Sequence, residues 1–504
     1  MRSKQAGAAD PLGTEATRTS GTRWWALVVI GLAQLLVVLD ATIVNIALPS
    51  AQRELGLTDA SRQWVITAYT LAFGGLLLLG GRVSDRFGAK RVFLIGLVGF
   101  AVASVVAGAA VGPGMLFAGR ALQGVFAAVL APAALSLLST TFTEPAERGT
   151  AFGVYGALSG GGAAVGLLAG GVLTEYLDWR WCLYVNVPVA AVAVLAGLPL
   201  LRNPSGTRRA KLDVASALTS SAGVTAAVGG FAAAEASGWT APRVLALLGA
   251  SALLLVLFTL LAARRPFPLL PLRILADRAR GGAFLAVALS QVAMFGLFLF
   301  MTYYLQTVLG YSPVLTGVAF LPLTAGIIVG STLIAGRLLP RTGPRSLMVT
   351  ALLVAALGMG LLTRIGTDTS TVFVTLLLPA QILLGLGLGG VMMPAMSTAT
   401  DGVSEHDAGA ASATVNAAQQ IGGSLGTALL NTIATTATAS YLARQAPFPE
   451  ANTAGTVHGF AVALTIAAIL LLATAALTAA LMPRTRRDPA QPADHGNPAD
   501  NETP

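Results

Sequence analysis

Runs of about twenty apolar residues, each closed by a short polar break, succeed one another along almost the whole chain. Such windows fall at 24–48, 62–81, 90–111, 115–138, 149–173, 181–201 and 213–235. They continue at 241–263, 281–306, 313–337, 344–364, 373–397, 408–437 and 457–482. An open strand in lipid would leave backbone N–H and C=O groups without partners, so every window predicts a helix. The fold class expected is an all-α polytopic membrane protein with fourteen transmembrane helices.

Only one acidic residue lies in the interiors of these windows, away from their ends: Asp40, in the run LDATIVNIALP from Leu39 to Pro49. A carboxylate held near mid-membrane costs about 2.5–3.5 kcal/mol or more, so it is seldom kept without a task. Composition agrees with the pattern: the 504 residues are 55% hydrophobic and 11% charged, against about 25% charge in a soluble domain. The formal charge of +9 would suggest nucleic acid in a soluble chain. Here the basic residues collect in short loops between spans, which is a signal of topology and gives no nucleic-acid partner.

With the N-terminus placed inside, twenty-four of the 31 lysines and arginines fall on the inner side and six on the outer, with Arg120 left inside a span. The bias predicts both termini in the cytoplasm. Residues 1–23 are polar and precede a long span that lacks an A-x-A-like cleavage site, so they read as a cytoplasmic tail. The proline-rich, charged stretch 483–504 reads as a second, disordered tail. The dominance of arginine, alanine and glycine resembles the product of a high-G+C bacterial genome, which would make the membrane the bacterial inner membrane.

Several functional classes drop out. Cys182 is the sole cysteine and His406, His458 and His495 are scattered, which argues against a disulfide or a metal site. Lys4, Lys90 and Lys211 are the only lysines and none completes a GxxxxGK[ST] phosphate loop, so energy must come from an ion gradient or a partner. Inter-span stretches such as 437–456 are too short for a catalytic or receptor domain. The sequence therefore calls for no enzyme and no cofactor.

GRVSDRFGAKR (Gly81 to Arg91) recurs as GRLLPRTGPRS (Gly336 to Ser346), matching at Gly81/Gly336, Arg82/Arg337, Arg86/Arg341, Gly88/Gly343 and Lys90/Arg345. Both copies follow an even-numbered span, so the halves read as parallel repeats. The offset exceeds a six-helix half by about two spans. The expected organisation is a six-helix bundle over 24–201, a linker with two extra helices over 202–280, and a second six-helix bundle over 281–482.

LDATIVNIALP in span 1, QWVITAYTLAFGG entering span 2, GRVSDRFGAKR after it and GRALQG in span 4 carry a resemblance, joined by WRWCLYVNVP at span 6. YYLQTVLGYSPVLTGVAFLP across spans 9 and 10 and NAAQQIGGSLGTA in span 13 extend it over the chain from Trp24 to about Pro483. Together these segments resemble the fourteen-helix drug:H+ antiporter branch of the major facilitator superfamily. The resemblance implies a major facilitator fold, alternating access around a central cavity, and export of a hydrophobic or amphipathic small molecule in exchange for protons.

Asp40 lies about 24 Å from the inner end of its helix and about 13 Å from the outer end, and Arg120 about 9 Å from the outer surface on a span running the other way. Two readings of this pair stand: a structural ion pair, or a proton site in which Asp40 takes and releases the proton while Arg120 tunes how tightly it is held. Burial favours the neutral carboxyl and an adjacent guanidinium the charged one, so small changes around the pair could swing the proton. By resemblance, spans 1 and 4 line the cavity. Gln123 can orient the guanidinium and Gly124 leaves it room, with polar packing between helices as the alternative.

The first inner loop resembles a conformational latch built from Gly81, Asp85, Arg86, Gly88 and Lys90; a plain positive-inside anchor is the other reading. Its second copy has Pro340 where Asp85 stands. Span 5 carries Gly162, Gly166, Gly170 and Gly171, where the family's antiporter signature reads GPxxGG, but Leu167 replaces the proline. Close helix packing is the competing reading of these glycines, and the missing proline leaves room for a uniporter or importer of a small metabolite. Gln291, Phe295, Tyr303, Tyr304, Met393, Asn416 and Gln420, with Gln123, are candidates for a cavity suited to an apolar or aromatic ligand. Protons, that ligand and membrane lipids are the partners expected.

Overall fold

The computed structural model describes residues 11–58, 61–142, 144–201, 213–264, 273, 276–367, 371–401, 405–444 and 451–483. Residues 1–10 of the expected tail 1–23, residues 484–504 of the expected tail 483–504, and 202–212, 265–272 and 274–275 of the linker 202–280 lie outside the described residues. Each apolar window coincides with helix. The first half comprises α1 (Pro11–Leu55), α2 (Trp64–Phe87), α3 (Ala89–Gly108), α4 (Pro113–Thr141), α5 (Pro145–Tyr176), the single turn α6 (Trp181–Tyr184) and α7 (Asn186–Leu200). Two helices follow, α8 (Val214–Ser237) and α9 (Pro242–Arg264).

The second half begins with α10 (Arg278–Tyr303), which runs on into a π-helical stretch, Tyr304–Val308. Next come α11 (Pro313–Ala319), α12 (Leu321–Ile328) with π-helical Val329–Ala335, and α13 (Gly336–Leu362). A π-helical Phe373–Leu377 leads into α14 (Leu378–Thr400), followed by α15 (Glu405–Arg444) and α16 (Ala451–Leu481). Nine helical stretches among the described residues are long and apolar enough to cross a membrane; one of them, Pro313–Leu362, contains a break at Gly343.

Local chemistry sets the helix starts. Pro113, Pro145 and Pro313 open α4, α5 and α11, where the missing N–H costs nothing. Asp213, Asp277 and Ser312 cap α8, α10 and α11 by accepting from the backbone N–H three residues on. α1 starts at Pro11, so helix reaches into the polar stretch expected to be an unstructured tail.

Gly88 (φ 92°) joins α2 to α3 with no intervening loop, and Gly343 (φ 75°) breaks α13 at the matching position of the second repeat copy. Both use a left-handed backbone that glycine adopts without steric cost. The recurrent motif is thus a recurrent turn.

Packing follows the repeat. In the first half α2 and α3 pack on α4, α5 on α1, and α7 on α1 and α3; in the second, α13 packs on α14, α10 on α15, and α16 on α10, α13 and α15. Across the two, α2 meets α15, and α5 meets α11 and α12. The helix α8 lies against both α2 and α15 as well as its partner α9, with Ser221 Oγ donating to Gly75 O at 2.5 Å.

Candidate functional site

Charged residues buried in a span need partners, and Asp40 has them from two other helices, α4 and α7. Its carboxylate is fully buried, with Oδ2 taking a 2.6 Å hydrogen bond from Arg120 Nη1. Oδ1 accepts from Gln123 Nε2 at 2.9 Å and from Asn186 Nδ2 at 2.8 Å. Arg120 is held in turn: Nη1 also donates to Gln123 Oε1 (2.8 Å), Nε to Val65 O (2.9 Å), and the guanidinium lies 4.5 Å from the centre of the Tyr69 ring. Ser104 Oγ closes the cluster, accepting from Gln123 at 2.7 Å and Asn186 at 3.3 Å.

Helices α1, α2, α3, α4 and α7 thus meet in one hydrogen-bonded cluster around the carboxylate. The resemblance led us to expect Asp40 and Arg120 on a cavity wall, but Asp40, Arg120, Gln123, Asn186 and Ser104 are all 1% exposed or less. The cause is geometric: three N–H donors converge on Asp40, and the Tyr69 ring and Val65 O cover Arg120. A void with room for about one water adjoins Arg120 towards the α1–α2 end, walled by Val44, Leu48, Val65, Leu116 and Cys182. Gly124 makes room for α2 rather than for the guanidinium: a Cβ there would stand 2.3 Å from Tyr69 O.

On the far side of α1 from Asp40 runs the glycine stripe of α5. A Cβ at Gly162 would meet Leu35 and Val38, one at Gly166 would meet Thr42 Oγ1 at 2.0 Å and Leu39 O at 3.0 Å, and one at Gly170 would meet Ile43 O at 2.9 Å. Gly171 instead faces the second half, where a Cβ would stand 2.7 Å from Pro313 O and Val314 Cα. Leu167, where the antiporter signature has proline, is fully buried in an unbroken helix, its carbonyl against Gly317.

Contacts between the halves gather towards the α1–α2 end. Tyr303 Oη donates to Gln52 Oε1, the Arg62 guanidinium sits 3.9 Å above the Tyr303 ring, Gln306 Nε2 donates to Ile46 O (3.1 Å), and Val314 N to Glu175 Oε2 (2.9 Å). Further in, Thr67 and Thr427 share a 2.8 Å hydrogen bond, and Gly74 packs against Gln420. Arg180 pairs with Glu54 at 2.6 Å at the same end.

Tyr303 belongs to the contact between halves, and Tyr304 is buried with its hydroxyl donating to Gly366 O at 2.8 Å. Gln291 and Asn416 are half-buried, Met393 is exposed, and the Phe295 ring packs where Gly423 leaves space. At the α2–α3 turn, Lys90 Nζ donates to Leu198 O (2.6 Å) in the last turn of α7, a favourable place for a cation. Gly81 lies in ordinary contact with Pro132 and Arg86 is exposed beside Phe87; the Asp85 side chain lies outside the described residues. Among the described residues no group of His, Cys, Asp and Glu could hold a metal.

The model of the Major Facilitator Superfamily matches residues 30–427. The chain belongs to this superfamily. It is 64% identical over 455 residues, 90% of each chain, to the puromycin resistance protein of Streptomyces alboniger. To the cephamycin export protein of Amycolatopsis lactamdurans it is 36% identical, over 83% of this chain and 87% of that one. A bacterial homologue of the lysosomal transporter Spinster, solved inward-facing and unoccupied, superposes with a TM-score of 0.66 at 18% identity, over 93% of this chain and 99% of that chain. The protein is therefore a multi-pass membrane transporter of the drug-exporter branch, and no enzyme.

Ser104 and Asn186 were not among the sequence candidates. Small neutral polar residues occur in many spans, and nothing in the spacing marks those that reach a distant carboxylate.

Proposed function

We propose that this transporter exports an antibiotic of the puromycin class across the bacterial inner membrane, driven by protons that Asp40 takes up and releases. The observation that carries the proton reading is the sealed cluster itself: the one acid inside the spans, held by Arg120, Gln123 and Asn186. The resistance and export proteins to which the chain is similar support both the direction and the substrate class. Leu167 is the sequence feature favouring a uniporter or importer, but the straight helix around it packs without need of a proline.

The same reading has fourteen spans, in two six-helix bundles with the α8–α9 pair inserted between them, and both termini in the cytoplasm. With that orientation the α1–α2 end is extracellular, and the contacts gathered there make this an inward-facing state. Gly88 and Lys90 hold the α2–α3 turn that would serve as latch with Asp85 and Arg86. Gln291, Phe295, Met393, Asn416 and Gln420 remain our candidates for the substrate path in the second half.

Expression in a pump-deficient bacterial host tests the proposal. The tolerated puromycin concentration is expected to rise severalfold, and a protonophore to abolish the accompanying efflux. Unchanged sensitivity, or efflux indifferent to the protonophore, would overturn it.

A further inference from the structure

The shell around Asp40 contains a spare acceptor. Asn186, at the start of α7, spends its Nδ2 on Asp40 Oδ1 and Ser104 Oγ, while its Oδ1 is buried without a hydrogen-bond partner. Buried polar atoms in native structures are nearly always paired, so an orphan next to the one titratable acid of the spans asks for a reason.

Counting donors and acceptors supplies one. An ionised carboxylate only accepts, and Asp40 receives three N–H donors. Once protonated it carries an O–H that needs an acceptor and can no longer face donors on every side. Gln123 Oε1 is already taken by Arg120, and turning that amide would break its bonds to both Asp40 and Ser104. Ser104 Oγ already receives two donors. Half a turn of the Asn186 amide, by contrast, brings its unused oxygen opposite Asp40 Oδ1 and gives up the 2.8 Å donor bond together with the longer 3.3 Å one.

We propose that Asn186 is a positioning residue for the coupling proton: its amide donates to the Asp40 carboxylate and, after a flip, accepts from the Asp40 carboxylic acid. This inference rests on Asp40 being the proton carrier. Without the flip a neutral Asp40 would press its O–H against an N–H. The titratable groups around Asp40 are Arg120 from α4, Tyr69 from α2 and Cys182 from α6, while α3 and α7 bring the neutral Ser104 and Asn186. Helix α5 meets the opposite face of α1 with glycines.

The full-length protein in liposomes, with puromycin as probe, carries the test. Asn186→Leu keeps the volume without donor or acceptor. Its gradient-free puromycin exchange reports how much folded carrier is present. The pH of half-maximal gradient-driven transport should move up by about one unit, because the charge-assisted bond lost from the carboxylate outweighs the neutral bond lost from the acid. Asn186→Ser, whose hydroxyl can donate or accept, should keep the wild-type midpoint. An unmoved midpoint in Asn186→Leu, or loss of exchange along with coupled transport, would mark Asn186 as packing alone and overturn the inference. Failure of the wild type to accumulate puromycin under any pH gradient would instead overturn the proton-coupled reading, and is seen before any variant is measured.

Discussion

At the scale of single residues, the site is a matter of how many hydrogen bonds each polar group can make in a dry interior. Arg120 is the hub, because one planar guanidinium reaches Asp40, Gln123 and Val65 O together. A lysine keeps the charge but not the fork. Arg120→Lys should therefore lose about 1.5–3 kcal/mol for each charged bond it fails to remake, read as a lower Tm in detergent, with coupled transport reduced at least about tenfold. An unchanged Tm would contradict the hub. Asp40 and Arg120 were legible in the sequence because charges inside spans are rare and their depths can be counted along a helix. Tyr303 and Tyr304 were not legible in the same way: an aromatic side chain suits a ligand cavity and a contact within the protein equally well, and both take the latter role here.

At the scale of helices, small residues decide how closely backbones approach where lipid supplies no hydrophobic drive between spans. The four-residue glycine spacing of α5 was readable as a smooth face, but its partner was not, since spacing says nothing about which helix lies opposite. The structure puts α1 there. Gly170→Ala places a Cβ 2.9 Å from a backbone oxygen that cannot move aside, so we expect a cost of about 1–3 kcal/mol and a smaller monodisperse fraction after solubilisation. Gly114→Ala, where nothing lies within 4 Å, is the control expected to behave as wild type. Equal yields of the two variants would count against the stripe as a packing device. The motif repeat was also legible, down to Gly88 and Gly343 sharing a left-handed turn. The π-helical stretches at Tyr304–Val308, Val329–Ala335 and Phe373–Leu377 were not, because one widened turn barely alters the period of apolar positions.

At the scale of the whole molecule, the halves close against each other at the α1–α2 end and must part there if transport alternates. Gly171, where a Cβ would stand 2.7 Å from Val314 Cα, lies in that closure. Gly171→Leu should act as a wedge: transport falls, and a cysteine at Gln52, now held by Tyr303, becomes more reactive to an impermeant maleimide. Unchanged reactivity would mean that this contact does not set the balance between states. The halves and their motifs could be read along the chain, but the state could not, since one sequence serves both conformations. If a proton on Asp40 drives the change, transport of puromycin into inverted vesicles under an imposed pH gradient must depend on that carboxylate. Asp40→Asn, inserted in the membrane in normal amount, should show no gradient-dependent transport where the wild type accumulates the compound. Gradient-dependent accumulation by that variant at the wild-type rate would contradict the account.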